Sequence, residues 1–295
     1  MKPTFISIGS ARCGSTWLHR SLGLHPEIQV SDPKQVCYFD RWIRSRPLEW
    51  YLAHFAPPSG QSPAPIRGEV TPFYARLSRR SVESVLRLFP ELRILLTIRN
   101  PVDRCWSAAH LDLGHYGRKQ LSSLSLQTFF RYFERQRVIR YTQYEQIIDR
   151  WSEGNPQRLH VSLFDDIGTR PGELLSGIFA HLGAESTWQP PLNEVAQRVR
   201  PEGKDHQELA MPEPVRWYLS VKWLGATRRL NDRLGGRVSH WVDSMEEAVG
   251  NPKRQWRFQR AFNLWIGRRA EQYSFAAYDR VNEQRTGRAW QRIER

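Results

Sequence analysis

The sequence predicts an α/β fold, a P-loop-like parallel sheet flanked by helices, on three observations. Strand-like runs near residues 4–9, 66–70, 92–98 and 158–163 alternate with helical patterns at 15–24, 79–89, 101–115 and 127–152, and such alternation builds parallel sheets with helices on both faces. The run Leu92–Ile98 is apolar enough throughout to be buried on both sides. The first run ends in Gly9-Ser-Ala-Arg12-Cys13-Gly14-Ser15-Thr16-Trp17, a glycine-rich turn that opens a helix, and sheets of this kind bind ligands at their strand ends.

That first turn carries chemistry. Its backbone N–H groups converge on one point, where the positive end of the helix dipole favours an anion. The spacing nearly matches the nucleotide phosphate loop G-x-x-x-x-G-K-[ST], but Ser15 stands where the lysine belongs and the cation is Arg12, three positions earlier. A γ-phosphate with magnesium wants that lysine, so the departure argues against an ordinary kinase or ATPase. Cys13 reads as a small filler within the turn. Residues 57–65, rich in proline, glycine and serine, are expected to form a surface loop rather than a domain linker.

The strand at 92–98 runs into Arg99-Asn100-Pro101-Val-Asp103-Arg104-Cys-Trp-Ser107. Asn100 suits an N-cap, Pro101 the first helical position, and Asp103 can complete a capping box. Arg99 is therefore held at a strand end and Ser107 two turns into the next helix, where a guanidinium and a hydroxyl can bind a terminal phosphate.

The turn with a central arginine resembles the 5′-phosphosulfate loop of the sulfotransferases that use 3′-phosphoadenosine 5′-phosphosulfate (PAPS). The Arg-Asn-Pro-x-Asp-Arg string with its later serine resembles their 3′-phosphate motif. Further segments resemble the heparan sulfate sulfotransferase-like and bacterial branch: His25-Pro-Glu-Ile28, Lys34-Gln35-Val-Cys37-Tyr-Phe39-Asp40, Gly68-Glu69-Val70-Thr71-Pro72-Phe-Tyr74, Arg158–Ile167 and Arg198-Val-Arg200-Pro201. The likeness runs from about residue 3 to about residue 242. It implies PAPS as sulfuryl donor, no metal, and in-line transfer to a hydroxyl or amine of a glycan or small molecule. It implies cofactor contacts from Arg12, Cys13, Gly14, Ser15, Thr16, Trp17, Arg99 and Ser107. Arg198, in a long proline-rich and polar loop expected over 184–214, is expected to contact the 3′-phosphate. Arg12, Lys34 and Glu69 are the candidate catalytic set.

The departures bear on acceptor activation. The family's general base is a glutamate, and Gln35 stands at its position; Val70 replaces a lysine and Cys37 a histidine. Asp32, Glu69, His110 and His115 are the replacement bases to consider, Glu69 ahead of His110. A non-catalytic nucleotide- or anion-binding relative and an atypical P-loop kinase stand as the alternatives.

Composition fits this reading. The 295 residues are 40% hydrophobic, enough for one substantial core. The net charge of +14 draws in an anionic donor and suits an acidic acceptor. No nucleic-acid recognition motif accompanies it. Three separated cysteines fit a reducing compartment, and with no membrane-length apolar run or leader in view the expected location is cytoplasmic. Residues 1–245 are expected to form the sulfotransferase domain. Residues 246–295 are expected to form a basic amphipathic helical tail, in which Phe258, Phe262 and Trp265 follow helical spacing. The tail is expected to pack on the domain, with peripheral membrane contact the less favoured outcome.

Overall fold

The computed structural model describes residues 1–57, 60, 62–191 and 210–250. Five strands, β1 (Phe5–Gly9), β2 (Ile28–Val30), β3 (Ile66–Val70), β4 (Arg93–Ile98) and β5 (Leu159–Leu163), form one parallel sheet in the order β2-β3-β1-β4-β5. Between them run α1 (Ser15–Leu24), α2 (Leu48–Ala53), α3 (Arg79–Leu88), α4 (Pro101–Ala109), α5 (Leu126–Phe133), α6 (Gln136–Arg140) and α7 (Tyr144–Ser152), followed after β5 by α8 (Asp166–Thr169) and α9 (Pro171–Leu182). The expected α/β class holds.

β1 is the central strand and is buried along its whole length. From it the strand order departs in two directions, to β3 on one side and β4 on the other. The turn after β1 therefore lies at the switch point where open parallel sheets leave a crevice. Gly9 ends β1 at φ +131°, and a Cβ there would stand 2.6 Å from the Pro72 carbonyl oxygen. Only glycine lets the two backbones approach this closely.

The described residues fall into two compact units, one from residues 1–99 and 146–191, the other from 100–145 and 210–250. The first contains the sheet, with Phe5, Leu18, Leu22, Leu95, Leu175 and Phe179 packed together. The second is helical: α4 to α6 and two later helices, Glu213–Arg233 and Ser239–Val249, enclose Val102, Phe129, Phe133, Tyr218, Trp223 and Met245. Among the described residues no helix is long and apolar enough to cross a membrane.

Local signals act as read at α4, where the Asn100 side chain accepts a hydrogen bond from the Val102 N–H at 3.0 Å and Pro101 opens the helix. The pattern over 101–115 changes to a π-helical turn at His110–His115. The pattern over 127–152 is three helices rather than one. Ser125 caps α5 through the Thr128 N–H, and Arg135 adopts an extended conformation that starts α6 afresh. The tail from residue 251 onward lies outside the described residues.

The crowding at Gly9 is testable against Gly154, which has φ +75° and no described atom within 4 Å of where a Cβ would stand. Gly154→Ala carries only left-handed backbone strain, about 1–2 kcal/mol. Gly9→Ala adds a backbone collision, worth about 1–3 kcal/mol more on the scale of overpacked sites. Urea unfolding of the two variants should show that gap; equal losses would mean that β1 and the Pro72 turn are not in contact.

Candidate functional site

The turn after β1 is built by three local constraints. The Ser10 N–H donates to the Thr97 carbonyl on β4 at 2.7 Å, and the Cys13 N–H donates back to the Ser10 carbonyl at 3.2 Å. Arg12 sits at φ +71° and Gly14 at φ +81°, so the chain reverses twice within three residues. Gly14 is the N-cap of α1, and as glycine it brings no side chain to cap that helix. The first-turn donors are thus open to a ligand or solvent. Arg12 is exposed, Cys13 buried, and Ser15 and Thr16 half-buried at the opening of α1, with Trp17 packed beneath.

Lys34 arrives from the far side of the sheet. The Ser31 N–H, just past edge strand β2, donates to the Gly68 carbonyl at 2.8 Å, and the Asp32-Pro33 turn follows. The Lys34 Nζ donates to Thr16 Oγ1 at 3.1 Å and to Ser15 Oγ at 3.3 Å. The cation missing from position 15 is supplied in space by position 34. Burial pushes the Lys34 ammonium down to a pKa of about 8, because a charge stripped of water favours its neutral form.

Arg99, at the end of β4, lies over the ring of Phe164, its guanidinium carbon 4.3 Å from the ring centre. Its Nη1 also donates to the Arg12 carbonyl at 3.5 Å. Phe164 lies 3.3 Å from the position a Cβ on Gly14 would occupy. One aromatic ring thus floors both the turn and the arginine. Sequence reading placed Phe164 in a matching segment without giving it this task; an aromatic residue directly after a parallel strand was the available signal.

Glu69 is the penultimate residue of β3 and has no exposed surface. It accepts hydrogen bonds from Thr71 Oγ1 at 2.5 Å and from the Tyr74 hydroxyl at 2.9 Å. Burial raises its pKa to about 7, against the opposing effect of those hydrogen bonds. A fully enclosed carboxylate does not reach an acceptor oxygen, so the role of base expected at this position gives way to an internal one. Gln35, at φ +66°, and Cys37, at φ +56°, turn the chain from Lys34 into the π-helical turn Tyr38–Trp42. Desolvation pushes the buried Cys37 thiol up to about 12, which keeps it protonated and inert.

The structure therefore brings Arg12, Cys13, Gly14, Ser15, Thr16, Trp17, Lys34 and Arg99 together within the first unit. Ser107 lies half-buried on α4 of the second unit, where His110 stacks edge-on to Trp106 and His115 is exposed. Arg198 lies outside the described residues. Among the described residues no group of three or more histidine, cysteine or acidic side chains could hold a metal ion.

Residues 2–202 match the family model described as Sulfotransferase domain. Over 114 residues the chain is 32% identical to the membrane-associated sulfotransferase kil1 of Dictyostelium discoideum, a match spanning 38% of this chain and 23% of that protein. It is 27% identical over 116 residues to the human (Homo sapiens) bifunctional heparan sulfate N-deacetylase/N-sulfotransferase 2, spanning 36% of this chain and 12% of that one. The matches thus span less than a quarter of the length of these curated relatives. A crystal structure of a sulfotransferase from Alicyclobacillus acidocaldarius superposes with a TM-score of 0.62 at 20% identity, over 82% of this chain and 99% of that one; this likeness concerns the fold.

The enclosed carboxylate has a pH signature. Glu69 has a folded pKa of about 7 against an ordinary value of 4.5. Between those values the folded chain keeps a proton that the unfolded chain has released, so this group's contribution to stability falls as pH rises across the window. The unfolding free energy of Glu69→Gln relative to wild type should shift in the variant's favour from the lower to the upper end of that window. A constant difference would show a carboxylate ionised throughout.

Proposed function

The chain belongs to the sulfotransferase domain family, and from that premise we propose that it transfers the sulfuryl group of PAPS to a hydroxyl or amine of an acceptor. The observation that carries this reading is the contact of the Lys34 ammonium with Ser15 and Thr16 at the opening of α1. A lysine and a helix N-terminus carry charge of the same sign. An anion seated between them satisfies both, and a phosphosulfate is such an anion.

The residues present fit the donor. Arg12, Lys34, the Ser15 and Thr16 hydroxyls and the turn's N–H groups offer donors to a phosphosulfate, and Arg99 on its Phe164 floor offers a fork for a phosphate. Bound PAPS supplies a sulfuryl group already activated for in-line displacement, with adenosine 3′,5′-bisphosphate as the leaving molecule. Arg12, exposed on its left-handed turn, opposes the negative charge that grows at the transferring group. Lys34 holds the same region from the other side and keeps its proton while it does so. The sequence resemblance alone assigns Ser107 and Arg198 to the donor as well, and a basic chain suits an acidic acceptor.

The nucleotide reading is tested by thermal unfolding. Without added metal, adenosine 3′,5′-bisphosphate should raise the melting temperature clearly more than AMP or ADP; equal shifts would remove the 3′-phosphate assignment. Arg12→Ala should then lower the transfer rate more than it lowers affinity for the product nucleotide.

Lys34 gives an independent test. Its ammonium attracts the anion while protonated, and in the free protein it loses that proton around pH 8. Affinity for adenosine 3′,5′-bisphosphate should therefore hold below this pH and weaken as pH rises through it. Lys34→Met should bind more weakly at neutral pH and show no such fall. An unchanged pH profile in that variant would separate Lys34 from the donor site.

A further inference from the structure

Among the described residues no carboxylate pairs with Lys34 to hold it against Ser15 and Thr16, and the loop that carries it turns through left-handed conformations at Gln35 and Cys37. Something else must fix that loop. The Cys37 N–H donates to Thr71 Oγ1 at 3.4 Å, and the Phe39 N–H donates to the Tyr74 hydroxyl at 3.4 Å. Thr71 and Tyr74 are the same two groups whose protons are directed to Glu69. Cys37, Phe39, Thr71, Tyr74 and Glu69 are all buried.

We infer that Glu69 is a positioning residue, which through the Thr71 and Tyr74 hydroxyls holds the backbone of Cys37 and Phe39 and so seats Lys34 on the first turn of α1. The inference rests on the proposed donor site and gives it an internal support.

The physical argument is one of hydrogen-bond direction. A hydroxyl has one proton and two lone pairs. While its proton goes to Glu69, its lone pairs face the loop and accept a backbone N–H. Once ionised, above about pH 7, the carboxylate accepts from both hydroxyls at once, so it orients both toward the loop together. At 3.4 Å each loop bond is long, and neither would fix the segment alone. Two of them, two residues apart, restrain the backbone on both sides of Tyr38. If either were lost, a buried N–H would be left without its partner, which is the expensive half of breaking a hydrogen bond. Packing adds to the restraint, since the Phe39 and Tyr74 rings lie 5.3 Å apart. Glutamine at 69 would keep the shape but present one donor face, which competes with the loop N–H for a hydroxyl lone pair.

The test reads Lys34 directly, in the full chain and without nucleotide. Reductive methylation with a carbon-13 label marks the six lysines of the chain, and Lys34→Arg identifies which resonance is Lys34. In wild type its titration midpoint should lie near 8. Thr71→Val and Tyr74→Phe, each nearly isosteric, should move that midpoint up toward the ordinary lysine value while the other five stay in place. Thr71→Ser, which restores the hydroxyl, should return it. An unmoved Lys34 midpoint in both variants would overturn the inference, as would an equal shift in Thr71→Ser and Thr71→Val, which would mark a general packing defect.

A double-mutant cycle adds a second readout. Thr71→Val should weaken adenosine 3′,5′-bisphosphate binding about 2- to 10-fold, the range for one lost hydrogen bond, and have little further effect in the Lys34→Met background. Equal losses on both backgrounds would overturn the link to Lys34. A shifted midpoint in a protein that ignores the 3′-phosphate would support the positioning role while removing the donor assignment.

Discussion

A lysine ammonium held against the positive end of a helix is the constraint around which the strand ends are arranged. The first turn of α1 carries the equivalent of about half a positive charge, and Lys34 adds a full one beside it, partly stripped of water. The hydroxyls of Ser15 and Thr16 accept from it, and neither carries charge. The arrangement is therefore poor in the free chain and good once an anion arrives, which is the character of a binding site rather than of a stabilising contact.

Other features of the first unit serve that arrangement. The turn keeps its shape through Gly9 pressed on the Pro72 backbone, left-handed residues at Arg12 and Gly14, and a tie from Ser10 to β4. Arg99 is steadied from below by Phe164 and reaches the carbonyl of Arg12, so the second anion motif is joined to the backbone of the first. A guanidinium stacked on a ring keeps its in-plane donors available. Thus the two motifs, nearly ninety residues apart in sequence, share a wall of one parallel sheet because β1 and β4 are neighbours in it.

What sequence reading captured was local or carried by a contiguous motif. The strand-turn-helix at 5–24, the strand and N-cap at 93–101 and the late strand at 159–163 each announce themselves through neighbouring residues. β2 escaped because three residues are too few to show a period. Helix Glu213–Arg233 escaped for a different reason: Val215, Trp217, Tyr218, Leu219 and Trp223 are all buried, so its apolar residues encircle it rather than form a stripe. The contact of Lys34 with Ser15 joins residues that only the β2–β3–β1 pairing brings together. The enclosure of Glu69 was hidden because strand alternation says which face a side chain takes, not whether that face is dry. Arg198 and the basic tail were readable as motifs, and both lie outside the described residues.

The acceptor's proton is where the chemistry turns. Position 35 carries an amide, which can donate and accept hydrogen bonds but cannot hold a transferred proton. Glu69 is enclosed, so its raised pKa describes an interior group and does not make it available to an acceptor. Burial thereby reverses the preference that motif position alone suggested, and it leaves exposed Asp32, two residues before Lys34, as a carboxylate beside this loop. His19 senses both: Asp32 raises its pKa and Lys34 lowers it, while burial makes the largest contribution downward. A neutral alcohol needs a base in the transition state, whereas a nucleophile already deprotonated near neutral pH needs chiefly orientation and a positive field. This turn is rich in the second and spare in the first.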